Sequence, residues 1–173
     1  MKKILVLSLA LLLALTLAVP CAQAKPQDFV GKTIPDFTVN TLSGESFTLS
    51  ESLKTHDLVV INFWATWCHW CIYEFPFVEE AWEQYSDRVD VIALNVWDEQ
   101  SDDNALRQCI EENGLKFPAG RDTFKLLDGM GAEGIPTTLV IDKNMCIVFA
   151  ESGAASSTQE LTELFDSLLS PAT

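Results

Sequence analysis

The sequence is poor in basic charge and nearly without histidine. Only 11 Lys and Arg stand against 25 Asp and Glu, for a net charge of −14 over 173 residues. With a pI near 4.3, the chain is a poor ligand for nucleic acid or an anionic lipid surface. The two histidines, His56 and His69, are too few for a histidine-built metal centre. Internal repeats and low-complexity tracts are also missing. With 48% apolar residues, the chain has enough to bury that disorder is not expected.

The first long apolar run belongs to processing rather than to the fold. Lys2 and Lys3 precede an apolar stretch from Ile4 to Val19, and Ala22-Gln23-Ala24 follows with small residues where a signal peptidase cuts. Residues 1–24 are therefore expected to be a cleaved signal peptide, with a retained membrane anchor as the alternative. Anchoring through a lipid on Cys21 is disfavoured by Pro20 directly before it. Cleavage leaves residues 25–173 as one domain. It takes the charge to −16, because Lys2 and Lys3 go and no acid lies in that segment. A domain of this length can bury a core without disulfide staples.

Four cysteines remain, Cys68, Cys71, Cys109 and Cys146. An even count in an oxidising compartment can mean two structural bridges, but the spacing of the first two points elsewhere. Leu58 to Phe63 reads as a strand buried on both faces. From His69 to Tyr85 the apolar period becomes helical, with Pro76 inside as a kink. Cys68 thus stands at the start of a helix and Cys71 within its first turn. Unpaired N–H groups and the helix dipole there favour a thiolate. Cys68 is read as the attacking nucleophile and Cys71 as the resolving thiol of a redox pair. A zinc site would need a second pair of ligands, and no further C-x-x-C or H-x-H is present.

The rest of the chain supplies an α/β frame. A short hairpin is expected from Thr38-Val39-Asn40 and Ser46 to Leu49 within an extended entry over 25–57. Val89 to Val96 reads as a second buried strand, and a helix capped by Ser101-Asp102-Asp103 runs to about Asn113. A short element near Phe117–Arg121 and a helical turn at Thr123–Asp128 come next. Thr137–Ile141 and Cys146–Ala150 form an antiparallel pair, and a last helix spans about Ser157 to Leu169. The order predicts a mixed central sheet flanked by helices, with an N-terminal β-hairpin extension. Cys109 and Cys146 are expected as buried, inert thiols; a bridge between them stays open. His56 reads as a loop residue.

The motifs now carry a resemblance. Phe63-Trp64-Ala65-Thr66-Trp67-Cys68-x-x-Cys71 resembles the thioredoxin active-site stretch, and Pro76 matches that family's helix proline. Gly134-Ile135-Pro136-Thr137-Thr138 resembles the loop whose proline is cis and faces the disulfide. Gly31 to Leu53 resembles the N-terminal extension of the TlpA/ResA branch. The resemblance implies a thioredoxin fold and an exported thiol–disulfide oxidoreductase acting as a protein-disulfide reductase. Its substrates would be oxidised exported proteins such as apocytochrome c, and a membrane thiol reductant of the CcdA/DsbD type would renew it. It implies a periplasmic or extracytoplasmic monomer needing no metal or cofactor. A copper-binding chaperone on the same fold is the weaker alternative, since such proteins use a wider cysteine spacing and a distant histidine. A peroxide-reducing enzyme is weaker again, because that pattern lacks the second cysteine at this spacing.

Two positions discriminate within the resemblance. Asn62 stands where cytoplasmic-type thioredoxins carry a buried Asp, and Glu74 stands where the exported branch carries a Glu. Glu74 lies nearly one helical turn past Cys71. It is expected to handle that thiol's proton, its own affinity raised by Phe75, Trp70 and a Cys71 thiolate. His69 and Trp70 are expected to tune the pair, and Trp67, Ile135 and Pro136 to dock substrate, with the Ile135 carbonyl free to accept a bond.

Overall fold

The computed structural model describes residues 24–170. The expected leader, apart from Ala24, lies outside them. No helix among the described residues is long and apolar enough to cross a membrane.

Among the described residues there are seven strands: β1 Thr38–Asn40, β2 Ser46–Thr48, β3 Leu58–Trp64, β4 Val89–Asn95, β5 Ala119–Arg121, β6 Thr137–Asp142 and β7 Ile147–Ser152. Five α-helices accompany them among the described residues: α1 Leu49–Thr55, α2 His69–Tyr85, α3 Asp103–Glu112, α4 Leu126–Gly129 and α5 Thr158–Leu169. β1 and β2 form a separate antiparallel hairpin, and the main sheet runs β5-β4-β3-β6-β7. β3 is parallel to β4 and antiparallel to β6, so the sheet is mixed, as expected.

Every residue of β3 is buried, which explains its unbroken apolar run: helices or loops cover both of its faces. Leu58, Val60 and Trp64 point to the layer containing Phe75, Val78, Leu161 and Phe165 of α2 and α5. Val59, Ile61 and Phe63 point to the opposite layer, where Val39, Phe47, Leu49, Leu53 and Leu127 close the core. Helix α2 packs along α5 through Tyr85 edge-on to Phe165, ring centroids 5.5 Å apart. Tyr85 also donates to Asp166 Oδ1 at 2.6 Å.

Two expectations need correction. The entry over 25–57 is not wholly extended, because Leu49–Thr55 is a helix. Leu49 and Leu53 recur at helical spacing and are buried. Asp36 anchors the start, accepting from Ser50 N at 2.9 Å and Ser50 Oγ at 2.6 Å. Two apolar positions were too few to separate that helix from the hairpin. Secondly, Cys109 and Cys146 are half-buried and unbridged. Cys109 sits towards the end of α3 and Cys146 just before β7, both at the margin of the core.

The hairpin docks on the sheet edge at Gly120, where Leu42 N donates to Ala119 O at 2.7 Å. A Cβ on Gly120 would lie 2.5 Å from Val39 Cγ1 and 3.1 Å from Asn40 O. Gly120→Ala is therefore expected to cost about 1–3 kcal/mol by overpacking and to loosen the hairpin. Denaturant unfolding with limited proteolysis checks this; an unchanged midpoint and an uncut hairpin would mean that the edge yields freely.

Candidate functional site

β3 delivers the chain to the site at Trp64, and Ala65-Thr66-Trp67 turns it into α2. Cys68 is the N-cap of α2, with Cys68 N donating to Ala65 O at 3.1 Å. Cys68 and Cys71 are joined by a disulfide, their Cα atoms 5.3 Å apart. Cys71 N donates to Cys68 Sγ at 3.1 Å, so one of the free N–H groups of the helix start falls on that sulfur. No acid lies in the first turn, leaving the positive end of the dipole unopposed. Cys71 is fully buried, whereas Cys68 keeps 5% exposure. The arrangement suits thiol exchange at Cys68 and resolution from within by Cys71.

The segment after β4 holds the loop in place, which the sequence reading missed. Asp98 Oδ2 accepts from Thr66 N at 2.8 Å and from Asn95 Nδ2 at 3.1 Å. Burial alone would raise the Asp98 carboxyl, but the bonds from Thr66, Ser101 and Asn95 outweigh it and hold it below the usual carboxylate range. Trp67 Nε1 donates to Trp97 O at 3.0 Å. Trp97 itself has φ +52°, a left-handed backbone that a bulky residue seldom adopts. One signal was available: β3 and β4 are parallel, and residues just past parallel strand ends gather at one rim.

Glu74 is 1% exposed. Its Oε1 accepts from Asn62 Nδ2 at 2.7 Å and its Oε2 from Ala155 N at 2.9 Å. Burial pushes its carboxyl up from 4.5 to about 7, against those two bonds and with help from the nearby Glu160 charge. This rise occurs with Cys71 in a disulfide, so no thiolate is needed for it. Trp70, four residues earlier on α2, is 60% exposed. The donors that close over Glu74 come instead from β3 and from the segment before α5. A carboxyl poised near neutrality can both take and return a proton.

Around the pair the surface is aromatic. Trp67, Trp70 and Tyr73 are exposed, and Trp70, Tyr73 and Phe77 stack edge-on along α2 at 5.6 and 5.4 Å. Ile135–Pro136 is a cis peptide bond. Ile135 and Pro136 line an open cavity of about 410 Å³ with Trp70, Tyr73, Gly153, Ala154 and Ser156. Trp70, Ile135 and Pro136 are thus brought together, while Trp67 leans the other way, onto Trp97. His69 is exposed at the helix start, its ring edge-on to Trp70. Cys109 and Cys146 take no part, and His56 caps the end of α1.

Comparison with known proteins agrees with this geometry. Residues 30–150 match the family model described as the AhpC/TSA family. The chain is 33% identical over 144 residues to "Thiol-disulfide oxidoreductase ResA" of Bacillus thuringiensis, covering 82% of this chain and 79% of that protein. Among solved structures, the thioredoxin domain of a thiol-disulfide oxidoreductase from Bacteroides vulgatus superposes with a TM-score of 0.68 at 20% identity, covering 82% and 98% of the two chains. StoA from Bacillus subtilis superposes with a TM-score of 0.64 at 22% identity, covering 76% and 96%. At these identities the superpositions establish the thioredoxin fold.

The Glu74 carboxyl binds its proton more tightly in the folded chain than in the unfolded one, about 7 against 4.5. Its contribution to stability is therefore full below pH 4.5 and is lost as the pH rises through about 7. A difference of this size amounts to about 3 kcal/mol. Relative to Glu74→Gln, the wild-type protein is expected to lose that much stability on going from about pH 4 to about pH 8. Urea unfolding at each pH measures it, and parallel curves for the two proteins would contradict the shift.

Proposed function

The chain belongs to the AhpC/TSA family and is a thiol–disulfide oxidoreductase, and from that premise we propose that it is exported and reduces disulfides of extracytoplasmic proteins through Cys68 and Cys71. The observation that carries this reading is the Cys68–Cys71 disulfide at the start of α2 with Glu74 buried one turn further on. Export rests on the leader pattern of residues 1–24. The aromatic rim and the cavity at Ile135–Pro136 suit an extended polypeptide rather than a small molecule.

In the reduced enzyme the Cys68 thiolate attacks one sulfur of a substrate disulfide. The substrate S–S bond breaks, a mixed disulfide forms, and the first substrate sulfur leaves as a thiolate that takes a proton. Glu74 then removes the Cys71 proton, and Cys71 attacks the Cys68 sulfur. The second substrate sulfur leaves and is protonated in turn. The substrate has gained two electrons and two protons, and the enzyme holds the Cys68–Cys71 disulfide. A membrane dithiol donor of the CcdA/DsbD type returns it to the dithiol. The substrate class is oxidised exported proteins, apocytochrome c among them. Trp67 and the Trp70–Pro136 cavity dock the substrate chain, and His69 and Trp70 tune the pair.

Trapping tests the assignment. Cys71→Ala is expected to accumulate mixed disulfides with exported proteins and Cys68→Ala few. Iodoacetamide near neutral pH should label Cys68 first in the reduced protein. Predominant labelling of Cys71 would reverse the two roles. Glu74→Gln is expected to slow insulin reduction roughly 10- to 100-fold and to flatten its pH profile. Full activity with an unchanged profile would remove Glu74 from the proton route.

A further inference from the structure

Asn62 lies on β3 with its side chain fully buried. Its Nδ2 faces Glu74 Oε1 at 2.7 Å and Thr138 Oγ1 at 3.4 Å. Its Oδ1 has no hydrogen-bond partner among the described residues. A buried amide with one end unsatisfied is uncommon and calls for an explanation.

We propose that the Asn62 amide rotates by half a turn as Glu74 gains or loses its proton, which makes Asn62 the positioning residue of the proton carrier. This rests on the reading of Glu74 as that carrier. As a carboxylate, Glu74 is an acceptor at both oxygens, and Asn62 Nδ2 and Ala155 N supply one donor to each. Once protonated, one of those oxygens must donate. Oε2 faces the Ala155 N–H, which can only donate, so the proton goes to Oε1. With Nδ2 in front of it, Oε1–H would meet another donor. Turning the amide brings Asn62 Oδ1 to that place, where it accepts from Glu74. The Thr138 hydroxyl gives in one orientation and receives in the other, so it serves both.

The far side of the amide is what leaves the rotation free. In the present orientation Oδ1 accepts no hydrogen bond there, so no bond on that side opposes the rotation, and the Glu74 proton decides. The other groups facing Glu74 do not supply the missing acceptor. On its own helix Cys71 is tied in the disulfide. Across from it, the Glu160 carboxylate of α5 is held by Ser156 N at 2.8 Å and Ser156 Oγ at 2.7 Å.

Nuclear magnetic resonance on the disulfide-bonded protein tests this without any substitution. The Glu74 carboxyl carbon reports its protonation, and the Asn62 side-chain NH₂ protons report which way the amide points. The expected result is that their contacts to the Thr138 side chain, present at high pH, are lost at low pH with the midpoint of Glu74. In Glu74→Gln the Asn62 signals should no longer depend on pH. If Glu74 titrates near neutrality while the Asn62 NH₂ keeps the same contacts throughout, the rotation is wrong and the role of Glu74 stands. If Glu74 does not titrate between about pH 6 and pH 9, above its ordinary range, its reading as proton carrier falls and the rotation with it. As a kinetic readout, Asn62→Leu is expected to raise the midpoint of the pH–rate profile by about one unit, since the charged form loses the stronger bond. An Asn62 that was only structural would lower stability and leave that midpoint in place, which would overturn the proposal.

Discussion

The site depends on the register of β3 between its two neighbours. β3 and β4 run parallel with Trp64 opposite Asn95, so both strands end at the same rim and the segment after β4 can reach the loop after β3. β6 runs antiparallel with Phe63 opposite Thr137, which sets the cis bond at Pro136 beside that same strand end. A slip of one residue would send every side chain of β3 to the other face. Asn62 would then leave Glu74, and Phe63 would replace it against α2. The slip would also turn the Asn62 amide into the apolar layer of Val39, Phe47 and Leu127, at the cost of a buried polar group without partners.

Within this frame the first turn of α2 performs two different electrostatic tasks. At Cys68 the free N–H groups and the dipole favour negative charge on sulfur. One turn on, burial at Glu74 disfavours negative charge on oxygen and brings that carboxyl to about 7. The two groups thus sit in opposite electrostatic environments, a common way of dividing proton roles in a site. Asp98 gives the contrast. It is also nearly buried, yet it receives enough hydrogen bonds to stay ionised, and it serves to hold the Thr66 backbone.

Much of the frame was legible because its signals are local or periodic. The helix His69–Tyr85 follows from its apolar spacing, and the burial of β3 from its unbroken run. The redox pair follows from a cysteine at a helix start with another one turn on. The separation of α1 from the hairpin was not legible, since its seven residues carry two apolar positions and its anchor is Asp36, distant in the chain. The donors to Glu74 were not legible for a related reason: a helix position says which residues share a face, but not what covers it.

The sequence by itself determined most of the elements and the redox pair, because backbone periodicity and helix-end electrostatics act within a few residues, and the family resemblance singled out the acid one turn beyond the pair. The fold decided which groups surround that acid. Asn62, Ala155 and Glu160 meet Glu74 from a strand, a loop and another helix, and their distances are fixed by packing. The carboxyl is raised by the water these elements exclude, and desolvation is a property of the assembled core that no single segment carries. The clamp of Trp97 and Asp98 on the active-site loop is tertiary in the same sense. It exists because two parallel strands, some thirty residues apart in sequence, end side by side.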